Sequence, residues 1–217
     1  MDITYLGHSS FKIKTKTAVL VCDPFDPTYV GLKYSGVEGD IVTISHDHSD
    51  HNKAELVKGN KKVVNGPGEY EIMGVSLIGI SSFHDTKHGG ERGKNTIYVI
   101  EADGLRLAHL GDVGHTLSDN ILEQIGDIDV LMIPVGGEYT IGPKEVVETV
   151  NKIDPYFVIP MHYQTTGLNP QTFSKLEPAD TFLKQMGLTV EKSSKFSIKK
   201  EEIIKDQGIK IILLEKK

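Results

Sequence analysis

His46-Asp47-His48-Ser49-Asp50-His51 packs three imidazoles and two carboxylates into six residues, directly after the apolar run Ile41-Val42-Thr43-Ile44. A strand that ends in such a cluster presents nitrogen and oxygen donors on one tight loop, where a divalent cation can be reached from several positions. Neutral imidazole and carboxylate are the ligands that zinc and other borderline first-row metals take. A solvated loop that happens to be rich in His is the plainer reading, and a lone His-x-His would leave it standing. The full His-x-His-x-Asp-His pattern outweighs it and marks a metal loop.

Other apolar runs also end on a metal-ligating group. His84 follows Val75–Phe83, Asp112 closes Leu105–Leu110 through Gly111, and His162 follows Phe157–Pro160. Taken singly, the histidines read as surface residues and Asp112 as a turn cap. Their shared place at strand ends is what strands produce when their ends surround one mouth.

These residues carry a resemblance. His46-x-His48-x-Asp50-His51 is similar to the signature of the metallo-β-lactamase fold superfamily of metal-dependent hydrolases. Ile3-Thr4-Tyr5-Leu6-Gly7-His8-Ser9-Ser10-Phe11 resembles the small branch that contains the ascorbate-6-phosphate lactonase. So do Cys22–Phe25, Gly66–Glu71, Leu110–Asp112, Gly136–Thr140 and Pro160–Tyr163, in the family's order.

The resemblance implies an α+β four-layer αββα sandwich, with two mixed β-sheets and helices on the outer faces. Residues 1–217 then form a single domain of two β-rich halves, 1–105 and 106–217. It implies His46, His48 and His84 on one ion, Asp50, His51 and His162 on a second, and Asp112 bridging. It also turns His8 toward the site, as a substrate-orienting group or as a structural hydrogen bond. Asp50, Asp112 and His8 are therefore the candidate catalytic residues. Two zinc ions per chain are the expected cofactor, although the same donors accept manganese or iron. Flavo-diiron oxygen reductases of this fold place a carboxylate where His48 stands, so a nitrogen donor there points to hydrolysis.

Binuclear hydrolases hold their ions ~3.5–4 Å apart and depress the pKa of a shared water until hydroxide forms near neutral pH. The expected activity is hydrolysis of an ester, lactone or phosphoester by such a metal-bound hydroxide. Two alternatives stand beside it: a nuclease acting on RNA or single strands, with weak promiscuous β-lactam hydrolysis, and a non-catalytic metal-binding or sensing protein. All seven candidate ligand positions are filled, which favours the enzyme.

Asp23, before Pro24, either braces a ligand imidazole or caps a turn. Gly136-Gly137-Glu138-Tyr139-Thr140 either offers donors to a ligand, with Thr140 a candidate contact, or is simply a tight turn. Asp85–Asn95 reads as a mobile lid. Its cations Lys87, Arg92 and Lys94 either hold an anionic group of the substrate or are solvated. His109 reads as structural, and His88 and His115 as solvated.

The chain has 217 residues, a formal net charge of −6 and 25% charged residues, values of an ordinary globular domain. The acidic balance disfavours a dedicated nucleic-acid binder, though lysines gather near both ends of the C-terminal third. A small, anionic substrate is the expected partner, and oligomeric state is left open. Cys22 is the only cysteine and sits in an apolar strand, so an inert core thiol in a reducing compartment is expected. No signal-like or membrane-length apolar segment is evident, and a cytoplasmic location is expected.

Early segments alternate like short strands, and Asp103-Gly104 marks a hairpin. Asp26–Gly39 reads as a loop and Asn52–Gly59 as a short helix. Ser118–Ile125, Gly142–Ile153 and Pro178–Met186 read as helices, the first capped by Ser118 and the second opened by Pro143.

Overall fold

Residues 1–204 and 208–217 are described by a computed structural model. Alternation builds the first sheet. In Asp2–Gly7 (β1) and Ser10–Lys14 (β2), Ile3, Tyr5, Phe11 and Ile13 are buried while Asp2, Thr4, Lys12 and Lys14 point outward. The antiparallel register sets Asp2 opposite Lys14 and Thr4 opposite Lys12. Val19–Cys22 (β3), Ile41–Thr43 (β4) and Lys62–Val64 (β5) extend this sheet, with β3, β4 and β5 parallel to one another.

Gly68–Ile72 (β6), Val75–Phe83 (β7), Lys94–Ala102 (β8) and Leu105–His109 (β9) form an antiparallel meander in a second sheet. Val130–Pro134 (β10) and Phe157–Met161 (β11) continue it in parallel. Val190–Ser193 (β12) and Lys210–Leu214 (β14) complete it, while Phe196–Ser197 (β13) returns to the edge of the first sheet. Among the described residues the sheets thus have six and eight strands. The chain changes sheet at residues 65–67, well ahead of the join expected near residue 105, because the β6–β7 hairpin already pairs with β8.

Between the sheets Phe11, Ile13 and Leu20 meet Leu77, Ile100, Met132 and Ile159 in one apolar layer. The other face of the second sheet is covered by Asp119–Ile125 (α2), Pro143–Ile153 (α3) and Ala179–Met186 (α5). Ser118 accepts from the Ile121 amide and fixes the start of α2. Pro143 opens α3, whose buried Val146, Val150 and Ile153 recur at helical spacing.

The first sheet's outer face is built differently. The one-turn helices Pro27–Val30 (α1) and Pro170–Phe173 (α4) lie over it, with loop residues such as Phe25, Leu32 and Leu176 packed on Val21 and Val42. The helix α1 falls inside the segment expected to be a loop, since Asp26 accepts from the Thr28 and Tyr29 amides. Conversely, the helix expected over Asn52–Gly59 shrinks to a single 3-10 turn, Ala54–Leu56. The Asn60 side chain donates to the Ala54 and Val57 carbonyls and closes the segment as a turn. Among the described residues, no helix is long and apolar enough to cross a membrane.

Tyr98 of β8 joins the two sheets near the mouth. Its buried hydroxyl lies 3.0 Å from the Ile44 carbonyl and accepts from the Gly66 amide at 2.8 Å. Replacing it by Phe strands these groups, so Tyr98→Phe should destabilise the protein by about 1–3 kcal/mol in urea titrations. Unchanged stability would show that the hydroxyl does not clamp the sheets.

Candidate metal centre

Five strands deliver donors from their carboxyl ends. β1 leads to His8, β4 to the 46–51 loop, β7 to His84, β9 to Asp112 and β11 to His162. The pairings make β1 and β4 run in one direction, and β7, β9 and β11 likewise share one direction. The donors therefore converge at one end of the sandwich.

They fall into overlapping groups whose ligand atoms lie within 4.8 Å of one another: His8, Asp50, His51 and His162; His46, His48 and His84; and His46, His51 and Asp112. All are buried except His48, which stands at the rim. Asp112 Oδ2 lies 3.4 Å from His84 Nε2, 3.3 Å from His51 Nε2 and 3.1 Å from His162 Nε2. One carboxylate thus stands between the group around His84 and the group around His51 and His162. His8 enters the second group, with its Nε2 3.0 Å from Asp50 Oδ2.

Asp23 holds the ligand loop in place. It accepts from the Ser45 amide at 2.8 Å, the Ser45 hydroxyl at 2.6 Å and His51 Nδ1 at 2.7 Å. With its hydroxyl hydrogen committed to Asp23, Ser45 Oγ receives the Nδ1–H of His46 at 2.9 Å. This chain commits Nδ1 of both His46 and His51 and turns Nε2 of each toward the other candidate donors. Asp112 is set by Asn95, whose side-chain oxygen accepts the Asp112 amide at 3.0 Å while its nitrogen donates to the Leu110 carbonyl and Ser82 hydroxyl. Gly111 between them is required: its φ is 56°, and a Cβ would fall 2.3 Å from Asn95 Oδ1. Ser45 and Asn95 escape sequence reading because one hydroxyl or amide at a strand end carries no periodic signal.

The electrostatics favour neutral imidazole over much of the site. Burial, then His51, holds His46 well below the ordinary imidazole range. Burial and neighbouring His162 hold His8 down at about 4, and burial lowers His84. On His51 burial works the same way, but Asp112 and Asp50 outweigh it and raise its proton affinity. Burial opposes the Asp112 charge, yet His162 and His51 keep its carboxyl ionised well below the usual range. Several buried atoms find no partner among the described residues: Nε2 of His46 and His51, both ring nitrogens of His162, and Asp112 Oδ1. Orphaned Nε2 and carboxylate atoms gathered at one end of the sandwich fit bound cations, each imidazole offering one nitrogen to an ion.

The remaining candidates separate. Asp85 organises the loop after His84, accepting from the amides of Lys87, Gly89, Glu91 and Arg92, so the segment expected to be mobile is a structured turn. Lys87 pairs with Glu91 at 2.6 Å and Lys94 opens β8, exposed. Arg92 reaches the mouth, its guanidinium 5.7 Å from the centre of the Tyr139 ring. Tyr139 stands 6.4 Å from His162 and 6.3 Å from Phe173, which packs 4.9 Å from His8 and 5.9 Å from Tyr29. The Thr140 hydroxyl is buried without a partner among the described residues. His109 is buried against the Ser9 carbonyl, His88 is exposed, and the partly buried His115 accepts the Phe83 amide instead of being solvated.

Comparison with known proteins agrees with this geometry. The family described as β-lactamase superfamily domain matches residues 2–162. A UPF0173 metal-dependent hydrolase of Thermococcus onnurineus is 31% identical over 207 residues, covering 81% of this chain and 92% of the relative. A solved structure from Thermotoga maritima, a candidate zinc-dependent hydrolase of the metallo-β-lactamase superfamily, is 37% identical. It superposes with a TM-score of 0.79 over 99% of both chains. A metallo hydrolase from Ignicoccus hospitalis, 22% identical, shares the fold with a TM-score of 0.66, covering 86% of this chain and 90% of that one.

Seven donors exceed the three or four that one tetrahedral ion uses. Elemental analysis and anomalous scattering should find two ions per loaded chain; one ion, with Asp50, His51 and His162 turned away, contradicts this. Loading should also release protons, because an ion must replace the one held on His51. Affinity measured against a chromophoric chelator should rise with pH across the neutral range, and a flat profile counts against the assignment.

Proposed function

The chain belongs to the β-lactamase superfamily and is a metal-dependent hydrolase, and we propose that it opens ester, lactone or phosphoester bonds of a small anionic substrate at a centre of two ions, zinc by preference. The position of Asp112 carries this reading: one buried carboxylate within 3.4 Å of imidazoles from both donor groups. When bound there, two divalent ions supply hydroxide near neutral pH and polarise the substrate oxygen.

The residues around them divide the remaining work. His46, His48 and His84 offer one set of nitrogens, and Asp50, His51 and His162 the other set. Asp23 and Ser45 fix ring orientation, and His8 steadies Asp50 through a 3.0 Å contact. Phe173, Tyr29 and Tyr139 form an aromatic rim that shields the reacting bond from water. Arg92, above Tyr139, is placed to hold the substrate's anionic group, with Thr140 and Lys94 as further contacts. Lys87 contributes less, since Glu91 already neutralises it. A cytoplasmic site of action accords with the single cysteine, Cys22, buried and without a disulfide partner.

A panel of lactone, phosphodiester, RNA and β-lactam substrates, with metal-loaded and metal-free protein, tests this reading. Metal-dependent turnover of a lactone or small phosphoester supports it. Absence of turnover on every substrate, with both sites filled, favours a non-catalytic metal binder. Asp112→Ala should lose metal and reduce turnover by at least ~10–100-fold while staying folded. Arg92→Ala should raise KM about tenfold for an anionic substrate, the worth of one hydrogen bond to a charged group, and leave a neutral ester unaffected. Lys87→Ala should change neither. Equal losses on charged and neutral substrates would remove Arg92 from the reading.

A further inference from the structure

Over β1 and β2 the first sheet's outer face lies open, and lysines gather there from four parts of the chain. Lys12 and Lys14 rise from β2, Lys33 from the segment after α1, Lys195 from beside β13, and Lys216 and Lys217 from the tail after β14. The Lys217 amide donates to the Tyr5 carbonyl, which lays that tail along β1. Together the six lysines line a cavity of about 520 Å³.

Little negative charge offsets them. Asp2 is held by Lys195 at 3.2 Å and by the Ser197 hydroxyl at 2.8 Å. Lys216 Nζ donates to the main-chain oxygen of Lys217 at 3.0 Å. Among the described residues Lys12, Lys14 and Lys33 make no ion pair. This concentration stands out in a chain whose net charge is −6.

Packing, too, shapes the cavity. The Lys216 methylenes lie against Gly7, where a Cβ would stand 3.1 Å from Cδ and Cε. Burial, then nearby Lys33, holds the Lys216 ammonium below the ordinary lysine range. Neighbouring ammonium groups disfavour one another's charge, and an anion that enters the cavity relieves that repulsion.

We propose that this groove binds a small anion carrying two or more linked phosphates. Lysine binds phosphate as a point charge, and the volume suits a small molecule. Single-stranded nucleic acid fits less well, because such grooves stack bases on aromatic faces. The groove's aromatic, Tyr34, is buried with its hydroxyl on Ser10. The metal donors sit at the strands' carboxyl ends, whereas this cavity opens on the sheet's outer face, so the two sites are separate.

Tripolyphosphate titrated into zinc-loaded protein, followed by backbone amide NMR, tests the proposal, with zinc content checked afterwards. Saturable shifts are expected at residues 12–14, 33–37 and 216, with orthophosphate binding at least about tenfold more weakly and added salt loosening both. Lys33→Glu/Lys216→Glu should cut affinity at least about tenfold, through lost charge-assisted contacts, and keep its zinc. Lys12→Gln/Lys14→Gln, at the half-buried and exposed outward positions of β2, should weaken binding as well, and the same spectra report whether either variant is folded. Three results overturn the proposal: no saturable shift, shifts confined to the surroundings of His46 and His84 that persist in folded lysine variants, or tighter binding of a single-stranded RNA oligonucleotide at this groove.

Discussion

A set of buried imidazole and carboxylate atoms without partners among the described residues governs this structure. Burying such groups is costly unless something completes their bonding. Completion requires that five strand ends, from two sheets, stand within a few ångströms of one another. The backbone accepts strain to reach that arrangement: His8, Asp23 and His162 all adopt positive φ, at 56°, 44° and 52°. The amide of His162 donates to the carbonyl of His8 at 2.8 Å, so the two strained turns lock each other. Tyr98 and the bond from the Thr96 amide to the Ser45 carbonyl hold the sheets in register beneath them.

Much of this was legible in the sequence because metal donors and strand ends are local signals. An apolar run followed by His or Asp states both that a strand stops and that a ligand follows. His84, Asp112 and His162 needed only that rule, together with the resemblance, to be grouped with the 46–51 loop. What escaped reading is assembled by contacts. Asn95 looked like part of a mobile loop, yet it is buried and orients Asp112. Lys87, Arg92 and Lys94 are close in sequence and looked alike, but Asp85 folds the segment so that Arg92 reaches the Tyr139 ring while Lys87 meets Glu91. The expected helix over 52–59 gave way to Asn60, whose side chain captures two carbonyls that propensity assigns to the helix.

The two outer faces carry different burdens. Helices α2, α3 and α5 cover the second sheet in a regular apolar layer and add rigidity. The first sheet is covered by loops and single helical turns, and these bring Phe25 and Phe173 against His8, at 6.5 and 4.9 Å between ring centres. Irregular coverage thus places the aromatic surroundings of the mouth where a longer helix would present only a packed stripe. Toward β1 and β2 that coverage ends, and the exposed strand positions hold charge instead of apolar side chains.

The spread of the proposed ligands along the chain, from His46 to His162, would tie metal capture to the completion of folding. In an unfolded chain the 46–51 loop still keeps its donors together, but Asp112 and His162 are remote from them. An ion that needs both is held far more tightly by the finished fold, and mass action then draws the population toward that fold. The same ion delays opening wherever the two sheets must part for unfolding to begin. With the proposed ligands filled, metal supply would set the lifetime of the folded molecule as well as its chemistry, and a chain starved of ions should be removed sooner by the proteases that sample open states.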